Sequence, residues 1–173
     1  HVAAYRELML EAYELAADAF TTTVEERRSE PMSWWAQRVG SEGGLTQALG
    51  AWQGDELVGS VALEFSPKPK ICHSALVLGM YVRPRYRGQG VGRLLMQAAV
   101  ELALAHPKVN VMTLTLTEFN EPALRLYEST GCVVWGTEPM AIRAPDGFKG
   151  RVYMSKLLPQ ATTAALHLPK EEA

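Results

Sequence analysis

The stretch that decides the fold is Met80-Tyr-Val-Arg-Pro-Arg-Tyr-Arg-Gly-Gln-Gly-Val-Gly-Arg93. An apolar run of strand length precedes its loop, and an amphipathic run typical of a helix follows it. A helix start leaves N–H groups unpaired, and the helix dipole adds partial positive charge there. Gly88, Gly90 and Gly92 let a bulky anion approach this bare backbone. The sequence therefore predicts a phosphate site at the loop.

Four arginines flank the loop, and we expect their charge to support the bound phosphate: Arg83, Arg85, Arg87 and Arg93. A P-loop would need a Lys-Ser/Thr pair after its glycines, and Val91-Gly92-Arg93 does not supply one. A dinucleotide loop would need G-x-G-x-x-G spacing, which this loop lacks, but Glu118 at the end of the next predicted strand keeps dinucleotide binding open. A tight strand–helix turn without a ligand also stays open.

Working outward from the loop, hydrophobic periodicity predicts one α/β domain over 1–158, with a C-terminal tail at 159–173. The strand predicted at 71–82 is apolar on both faces, which places it in the centre of a sheet. In the helix after the loop we expect Leu94, Leu95, Ala98, Leu102 and Ala105 to face inward. Helices are predicted at 3–19, 31–39, 91–106 and 121–130, and strands at 48–53, 56–65, 71–82, 109–117, 132–136 and 151–157.

Composition excludes several classes of function. The chain has 173 residues, a formal net charge of −2 and 47% hydrophobic residues. The slight acidity argues against nucleic acid as a partner, because phosphate neutralisation needs a basic face. No apolar run approaches the ~20 residues that span a bilayer, so no membrane association is expected. Cys72 and Cys132 have no second ligand at metal spacing, so we expect no metal and two reduced cysteines in a cytoplasmic protein.

Two motifs resemble those of a known superfamily. Arg87-Gly-Gln-Gly-Val-Gly92 matches the R/Q-x-x-G-x-G/A signature of the GNAT N-acetyltransferases, and Asn120-Glu-Pro-Ala-Leu-Arg-Leu-Tyr-Glu-Ser-Thr-Gly131 is similar to their second motif, N-x-x-A-x-x-L-Y-x-x-x-G. The resemblance covers roughly 3–158. It implies a GNAT-like fold: a mixed, mostly antiparallel central sheet with a splayed parallel strand pair and helices on both faces.

The resemblance also implies a co-substrate, acetyl-CoA. The glycine loop would hold its pyrophosphate through backbone N–H groups. The pantetheine arm would lie in the gap between the strand ending at Val82 and its parallel neighbour. No metal is implied. The cofactor-binding residues carried over from the superfamily are Met80, Tyr81, Val82, Arg87, Gly88, Gln89, Gly90, Val91, Gly92, Arg93, Asn120, Ala123 and Tyr127.

The chemistry of such a site is acetyl transfer to an amine by direct attack in a ternary complex. An amine with a pKa near ~10 is mostly protonated at pH 7 and must lose a proton before it attacks the thioester. A backbone N–H of Met80 or Tyr81 would stabilise the oxyanion. The resemblance places the hydroxyl of Tyr127 near the thioester sulfur, where it would protonate the leaving thiolate as the catalytic acid. Taken alone, Tyr127 also fits an aromatic residue of the core.

The general base and the partners are less determined by the sequence. The candidates for the base are His73, Glu64, Glu118 and an ordered water, and each of the three side chains also fits a structural or solvated role. The acceptor is expected to be an amine of a small molecule or peptide, and a homodimer is left open. Alternatives to the enzyme are a non-catalytic acyl-CoA sensor and a dinucleotide-binding domain.

Overall fold

The computed structural model describes residues 1–40 and 44–159. The predicted tail, 159–173, lies outside the described residues apart from Pro159. The helices are α1 (Val2–Leu15), α2 (Val24–Arg28), α3 (Met32–Gly40), α4 (Val91–Leu104) and α5 (Glu121–Ser129), with 3-10 turns at Ala17–Ala19 and Pro84–Tyr86. The strands are β1 (Thr46–Gln53), β2 (Glu56–Phe65), β3 (Ser74–Val82), β4 (Val111–Thr117), β5 (Val133–Ala144) and β6 (Gly147–Leu157).

The six strands form one sheet in the order β1-β2-β3-β4-β6-β5. Only β3 and β4 run parallel, and all other neighbours are antiparallel. The parallel connection passes through α4, as a parallel crossover requires. The predicted fold, a mostly antiparallel sheet with one parallel pair and helices on both faces, is confirmed.

Two apolar clusters hold the layers together. On one face of the sheet α4 packs with α5 against β2, β3, β4 and β6, around fully buried Met96, Met112 and Met154. On the other face α1 and α3 pack on β1, β2 and β3, around Leu8 and Trp35. The second layer therefore covers only half of its face, which determines both the shape of the site and the surface left over.

The start of β3 differs from the prediction. Apolar Ile71 and Cys72 indicate a strand from residue 71, but successive turns bond Ile71 N to Lys68 O and Ser74 N to Ile71 O. These turns use the backbone groups that a ladder would need, so β3 begins at Ser74. His73, expected on this strand, lies in the turn and is exposed.

Three further expectations are corrected. The buried face of α4 is Leu95, Met96, Ala99 and Ala103, whereas Leu94 is 64% exposed. The last two strands are longer than predicted, and β5 runs to Ala144. The register of β5 is irregular between Glu138 and Ile142, and Pro139 is tolerated there because β5 is an edge strand. Residues 21–30, where no helix or strand is predicted, contain α2, whose start is fixed by a capping box between Thr23 and Glu26.

Candidate active site

A fork between β3 and β4 forms the candidate site. The two strands pair only from Ser74–Val111 to Leu76–Thr113. Beyond that point β3 pairs only with β2 as far as Val82, and β4 pairs only with β6 as far as Thr117. The two strands therefore separate towards their C-terminal ends. A bulge bends β3 at Gly79, which has a φ of +63°. The fork and the loop after it enclose a groove of about 430 Å³.

The main chain of Val82 faces the gap of the fork. Arg83 N donates to Val58 O of β2 at 2.9 Å. Because ladder bonds alternate in direction along a strand, the N–H and C=O of the preceding residue point away from β2, towards β4. The carbonyl of Val82 accepts from Nε of Arg87 at 2.9 Å. The N–H of Val82 therefore remains available to an extended ligand in the gap.

The glycine loop is open where a phosphate would approach it. Gly88 and Gly90 have φ values of +73° and +83°, and a Cβ on either would meet no atom within 4 Å. Gly90 is also the N-cap of α4, so the free N–H groups of the first turn begin here. Gly92 serves packing instead, because a Cβ on it would lie 3.1 Å from a methyl of Leu126. The loop thus has an open approach for the phosphate group that the sequence predicts.

Eleven of the thirteen predicted cofactor residues line the groove. The exceptions are Gln89, whose side chain folds back to donate to Arg85 O at 2.8 Å, and Tyr127. The eleven are Met80, Tyr81, Val82, Arg87, Gly88, Gly90, Val91, Gly92, Arg93, Asn120 and Ala123. The lining residues that sequence reasoning missed are Ala16, Ala19, Phe20, Tyr86, Pro122 and Leu126.

The four arginines do not act together as predicted. Arg87 and Arg93 line the groove. Arg83 turns towards α1, where NH1 lies 2.7 Å from a carboxylate oxygen of Glu11 and Nε donates to Leu57 O. Arg85 forms an ion pair with Glu56. Two of the four charges are therefore neutralised by carboxylates away from the loop, and the expectation that all four surround it is wrong.

Asn120 fixes the start of α5 beside the groove. Its side-chain oxygen accepts from Ala123 N at 3.3 Å, which satisfies one of the free donors of the helix start. Pro122 occupies the first turn, where a missing N–H costs nothing. The second motif therefore presents Asn120, Pro122 and Ala123 to the groove as one rigid unit.

Tyr127 lies behind the groove rather than on its surface. The side chain is 7% exposed and belongs to the main core. Among the described residues, no hydrogen bond to its hydroxyl is found. Burial, with a smaller contribution from Cys132, raises its pKa well above the usual range. The phenol is thus protonated at neutral pH, as a general acid must be. A position of its hydroxyl close to the thioester sulfur stays a prediction.

Two of the three side chains considered for the general base lie away from the open end of the fork. His73 lies at the start of β3, roughly 23 Å of extended chain from Met80. Glu64 is exposed opposite Leu76, about 13 Å along the strand from the same residue. Glu118 is at the open end, but its carboxylate accepts from Gly150 N at 3.0 Å. That bond engages only Oε2, so Glu118 and an ordered water remain the candidates at the open end of the fork.

A second groove of about 630 Å³ lies on the other side of the segment after α1. It runs between residues 17–25 and the β5–β6 hairpin, and Phe20 lines both grooves. The segment is held across the open fork because Thr117 Oγ1 donates to Asp18 O at 2.5 Å and Lys149 binds the Asp18 carboxylate at 2.9 Å. The two grooves therefore meet at Phe20.

Comparison with known proteins decides the family. The model of the acetyltransferase (GNAT) family matches residues 9–132. The chain belongs to the GNAT family of acetyltransferases. The resemblance of its two motifs is thereby confirmed.

Two curated relatives and one solved structure place this GNAT protein more closely. "L-amino acid N-acetyltransferase AaaT" of Escherichia coli is 28% identical over 60% of the chain, and the match spans 62% of the length of that relative. "Putative phosphinothricin acetyltransferase YwnH" of Bacillus subtilis is 29% identical over 77% of the chain and 76% of its own length. A Salmonella typhimurium structure described as "yncA, a putative acetyltransferase", with "its cofactor Acetyl-CoA", has the same fold at a TM-score of 0.72 and 20% identity, with 90% and 87% of the two chains covered.

Two negative findings concern only residues 1–40 and 44–159. No helix there combines the length and the hydropathy needed to cross a membrane. No group of three or more His, Cys, Asp or Glu side chains there is arranged to hold a metal ion.

Proposed function

We propose that this GNAT protein transfers the acetyl group of acetyl-CoA to the amine of a small molecule, by direct attack in a ternary complex. The observation that carries the proposal is the single groove in which the open fork, the glycine loop and the start of α5 meet. Its shape suits a ligand with an extended arm and a diphosphate at one end. An N-acetyltransferase of this kind needs no metal.

On the donor side, the diphosphate lies against the N–H groups that begin at Gly88, with Arg87 and Arg93 beside it. The pantetheine arm runs along β3, where the N–H of Val82 faces the gap. Asn120 and Ala123 line the other wall. The thioester then lies at the bulge, where the backbone N–H of Met80 or Tyr81 stabilises the oxyanion.

On the acceptor side, the second groove receives the amine. It offers Arg143 on the β5–β6 hairpin and Glu25 on the opposite wall, whereas Lys149 and Asp18 in the same groove are paired with each other. A groove with both signs of charge suits an amine that also carries a carboxylate. The two curated relatives are named for such acceptors, an L-amino acid and phosphinothricin. We therefore propose a free amino acid or a close analogue as the acceptor class.

Proton transfer completes the reaction. The ammonium must lose a proton to become a nucleophile, and either Glu118, which keeps Oε1 beside the bond from Gly150 N, or an ordered water chain accepts it. Tyr127 protonates the departing thiolate. Holding both substrates in one complex contributes a large part of the rate acceleration, since it makes the attack effectively unimolecular.

The test is an acceptor panel with acetyl-CoA, in which release of free thiol is measured. Twenty L-amino acids are compared with their carboxamides, which keep the amine and lose the carboxylate. Thiol release with at least one amino acid, and at least about tenfold less with its carboxamide, is expected because one charge-assisted contact contributes 1.5–3 kcal/mol. Equal rates with acid and amide would remove the carboxylate from the proposal.

Thermal shift separates the enzyme from its alternatives. Acetyl-CoA at 100 times its Kd should stabilise the protein by about 2.7 kcal/mol, whereas NAD and ATP should not. Binding of acetyl-CoA without thiol release from any amine would favour the non-catalytic sensor. A cytoplasmic location stays a prediction from the cysteine content.

A further inference from the structure

The turn before the glycine loop is anchored to the start of β2 by one carboxylate. The guanidinium of Arg85 donates to both oxygens of Glu56, and the hydroxyl of Tyr86 donates to Oε2 at 2.8 Å. Nε of Arg83 lies 3.6 Å from Oε1. A single exposed ion pair contributes little, but several charges and a hydroxyl joined in one network contribute more. One side chain therefore gathers three residues of the segment that leads from β3 into the loop.

The other side-chain hydrogen bonds of this segment are local. Nε of Arg87 and Nε2 of Gln89 both donate to carbonyls within residues 82–85. Among the residues that the structure describes, only Glu56 joins residues 84–90 to another strand or helix through side-chain hydrogen bonds or ion pairs. The position of the loop relative to the sheet therefore depends on this carboxylate.

The start of β2 is a firm support for the anchor. Glu56 pairs with Gln53 in the β1–β2 ladder. The carbonyls of the next two residues accept bonds from Arg83, Leu57 O from Nε at 3.1 Å and Val58 O from the backbone N at 2.9 Å. The backbone at Glu56 is thus held between two neighbouring strands, and a residue bonded to its carboxylate takes its position from the sheet.

A carboxylate at this place opposes the ligand that the loop is expected to bind. Hydrogen bonds from Arg85 and Tyr86 hold the pKa of Glu56 below its usual range, so the group is negatively charged at neutral pH. Tyr86 lines the groove and lies two residues before Gly88. Because like charges repel, the field of Glu56 by itself weakens the binding of a diphosphate. Anchoring and field therefore predict opposite effects when the carboxylate is removed.

We propose that Glu56 is a positioning residue for the coenzyme. It holds the turn at 84–86 against the sheet, so that the N–H groups from Gly88 to Gly90 keep one arrangement before the diphosphate arrives. Glycine loses more backbone freedom on ordering than any other residue, so a loop ordered only on binding would lower the affinity. An arrangement fixed in advance removes this cost. The inference rests on the proposed use of acetyl-CoA, and Glu56 itself does not line the groove.

The experiment is isothermal titration calorimetry of the full chain with acetyl-CoA, for the wild type and Glu56→Gln. The matched control is Asp55→Asn, which removes one negative charge at the adjacent exposed position of the β1–β2 turn, outside the contacts of Glu56. We expect Glu56→Gln to weaken binding at least about tenfold, because hydrogen bonds to a charged group are lost. Asp55→Asn should leave the affinity unchanged or raise it slightly. Far-UV circular dichroism checks that each variant is folded.

Steady-state kinetics separate anchoring from a general loss of structure. With misplaced loop N–H groups, Glu56→Gln should show a higher KM for acetyl-CoA and the wild-type kcat at saturation, because binding common to the ground and transition states is lost. S-acetylpantetheine, a donor without the diphosphate, should give the same kcat/KM with the wild type and Glu56→Gln. A loss of kcat with both donors would instead indicate a structural defect and overturn the proposal.

Tyr86→Phe covers the case in which Glu56→Gln does not fold. It keeps the ion pair between Glu56 and Arg85 and removes one hydrogen bond, so acetyl-CoA should bind about threefold more weakly. Wild-type or tighter affinity in the folded variants, or equal weakening by Asp55→Asn, would overturn the inference. A wild type that does not bind acetyl-CoA would overturn the proposed function first, so the wild-type titration distinguishes the two failures.

Discussion

The hydroxyl of Tyr81 donates to Oε1 of Glu11 at 3.0 Å, and this bond ties helix α1 to the arm of the fork that carries the bulge. The other oxygen of Glu11 lies 2.7 Å from NH1 of Arg83, whose side chain is only 16% exposed. Tyr81 also lines the candidate coenzyme groove. Glu11 is therefore a positioning residue for the end of β3, although it does not line the groove.

Replacement of Glu11 should reduce both stability and binding. Glu11→Gln removes the charge opposite Arg83, which keeps Glu7 and Glu56 as partners. We expect a loss of about 1.5 kcal/mol of unfolding free energy, the low end for a hydrogen bond to a charged group. Urea denaturation measures the loss. Glu14→Gln on the same helix is the control, because its pair with Arg28 is exposed and should contribute almost nothing. Equal losses of unfolding free energy in Glu11→Gln and Glu14→Gln would contradict the positioning role of Glu11.

Stability should fall at alkaline pH. Burial raises the pKa of Tyr5 and of Tyr81 to about 12, and for Tyr81 the bond to Glu11 adds to the effect. The folded protein therefore keeps these protons while the unfolded chain loses them near its ordinary pKa of about 10. The stabilisation is complete below pH 10 and is lost between about pH 10 and 12.

Urea midpoints at pH 9, 10 and 11 test this directly. The double change Tyr5→Phe with Tyr81→Phe should flatten the decline, since it removes both groups that titrate differently in the two states. If the urea midpoint falls equally steeply with pH in the wild type and in the variant, other groups cause the loss of stability.

Gly90 should be needed for coenzyme binding more than for folding. Gly90→Ala places a Cβ in open space at a φ of +83°, so it costs about 1–2 kcal/mol of backbone strain. In addition the methyl group occupies the approach of the diphosphate, and we expect acetyl-CoA affinity to fall at least tenfold by calorimetry.

Gly54→Ala is the matched control for the loop. Gly54 also has a positive φ, +56°, and open surroundings, but it lies in the β1–β2 turn. It should lose similar stability and keep its affinity. If both variants bind acetyl-CoA equally, the loop does not hold the phosphates.

Tyr127→Phe tests the proposed acid. Because no hydrogen bond to the hydroxyl is found among the described residues, its removal should change stability by less than about 0.5 kcal/mol. Turnover should fall at least tenfold while the Kd of acetyl-CoA stays constant, since general acid catalysis contributes 10²–10⁴. Thiol release under saturating acceptor measures it. Unchanged turnover would show that Tyr127 is a core residue without a catalytic role.

Asn120 should show two separable roles. Asn120→Ala removes the cap on Ala123 N and should cost about 1 kcal/mol, whereas Asn120→Asp keeps a capping oxygen. If Asn120 also contacts the coenzyme arm, the aspartate variant keeps stability and loses affinity. Full affinity in the aspartate variant would leave Asn120 as a helix cap only.

The sequence by itself determined the local chemistry of this protein. A strand, a glycine-rich loop, a helix start and the Asn-capped helix are signals within a few residues of one another. They predicted the glycine loop as a site, and the family resemblance of the same motifs indicated the eleven residues that line the groove. The same local patterns misplaced the start of β3 at Ile71 and the inner face of α4, because turn bonds and packing decide those details.

Tertiary structure decided everything that depends on residues distant in the chain. Glu11 accepts a hydrogen bond from Tyr81, seventy residues away, and its other oxygen pairs with Arg83 and holds that side chain away from the loop. Packing placed Tyr127 behind the groove and Phe20 between the two grooves. Packing of α1 and α3 on β1 to β3 leaves β4 to be reached by the segment after α1, where Thr117 bonds to Asp18 O. No periodicity along one segment carries this information, since it is the folded chain that brings separate segments into contact.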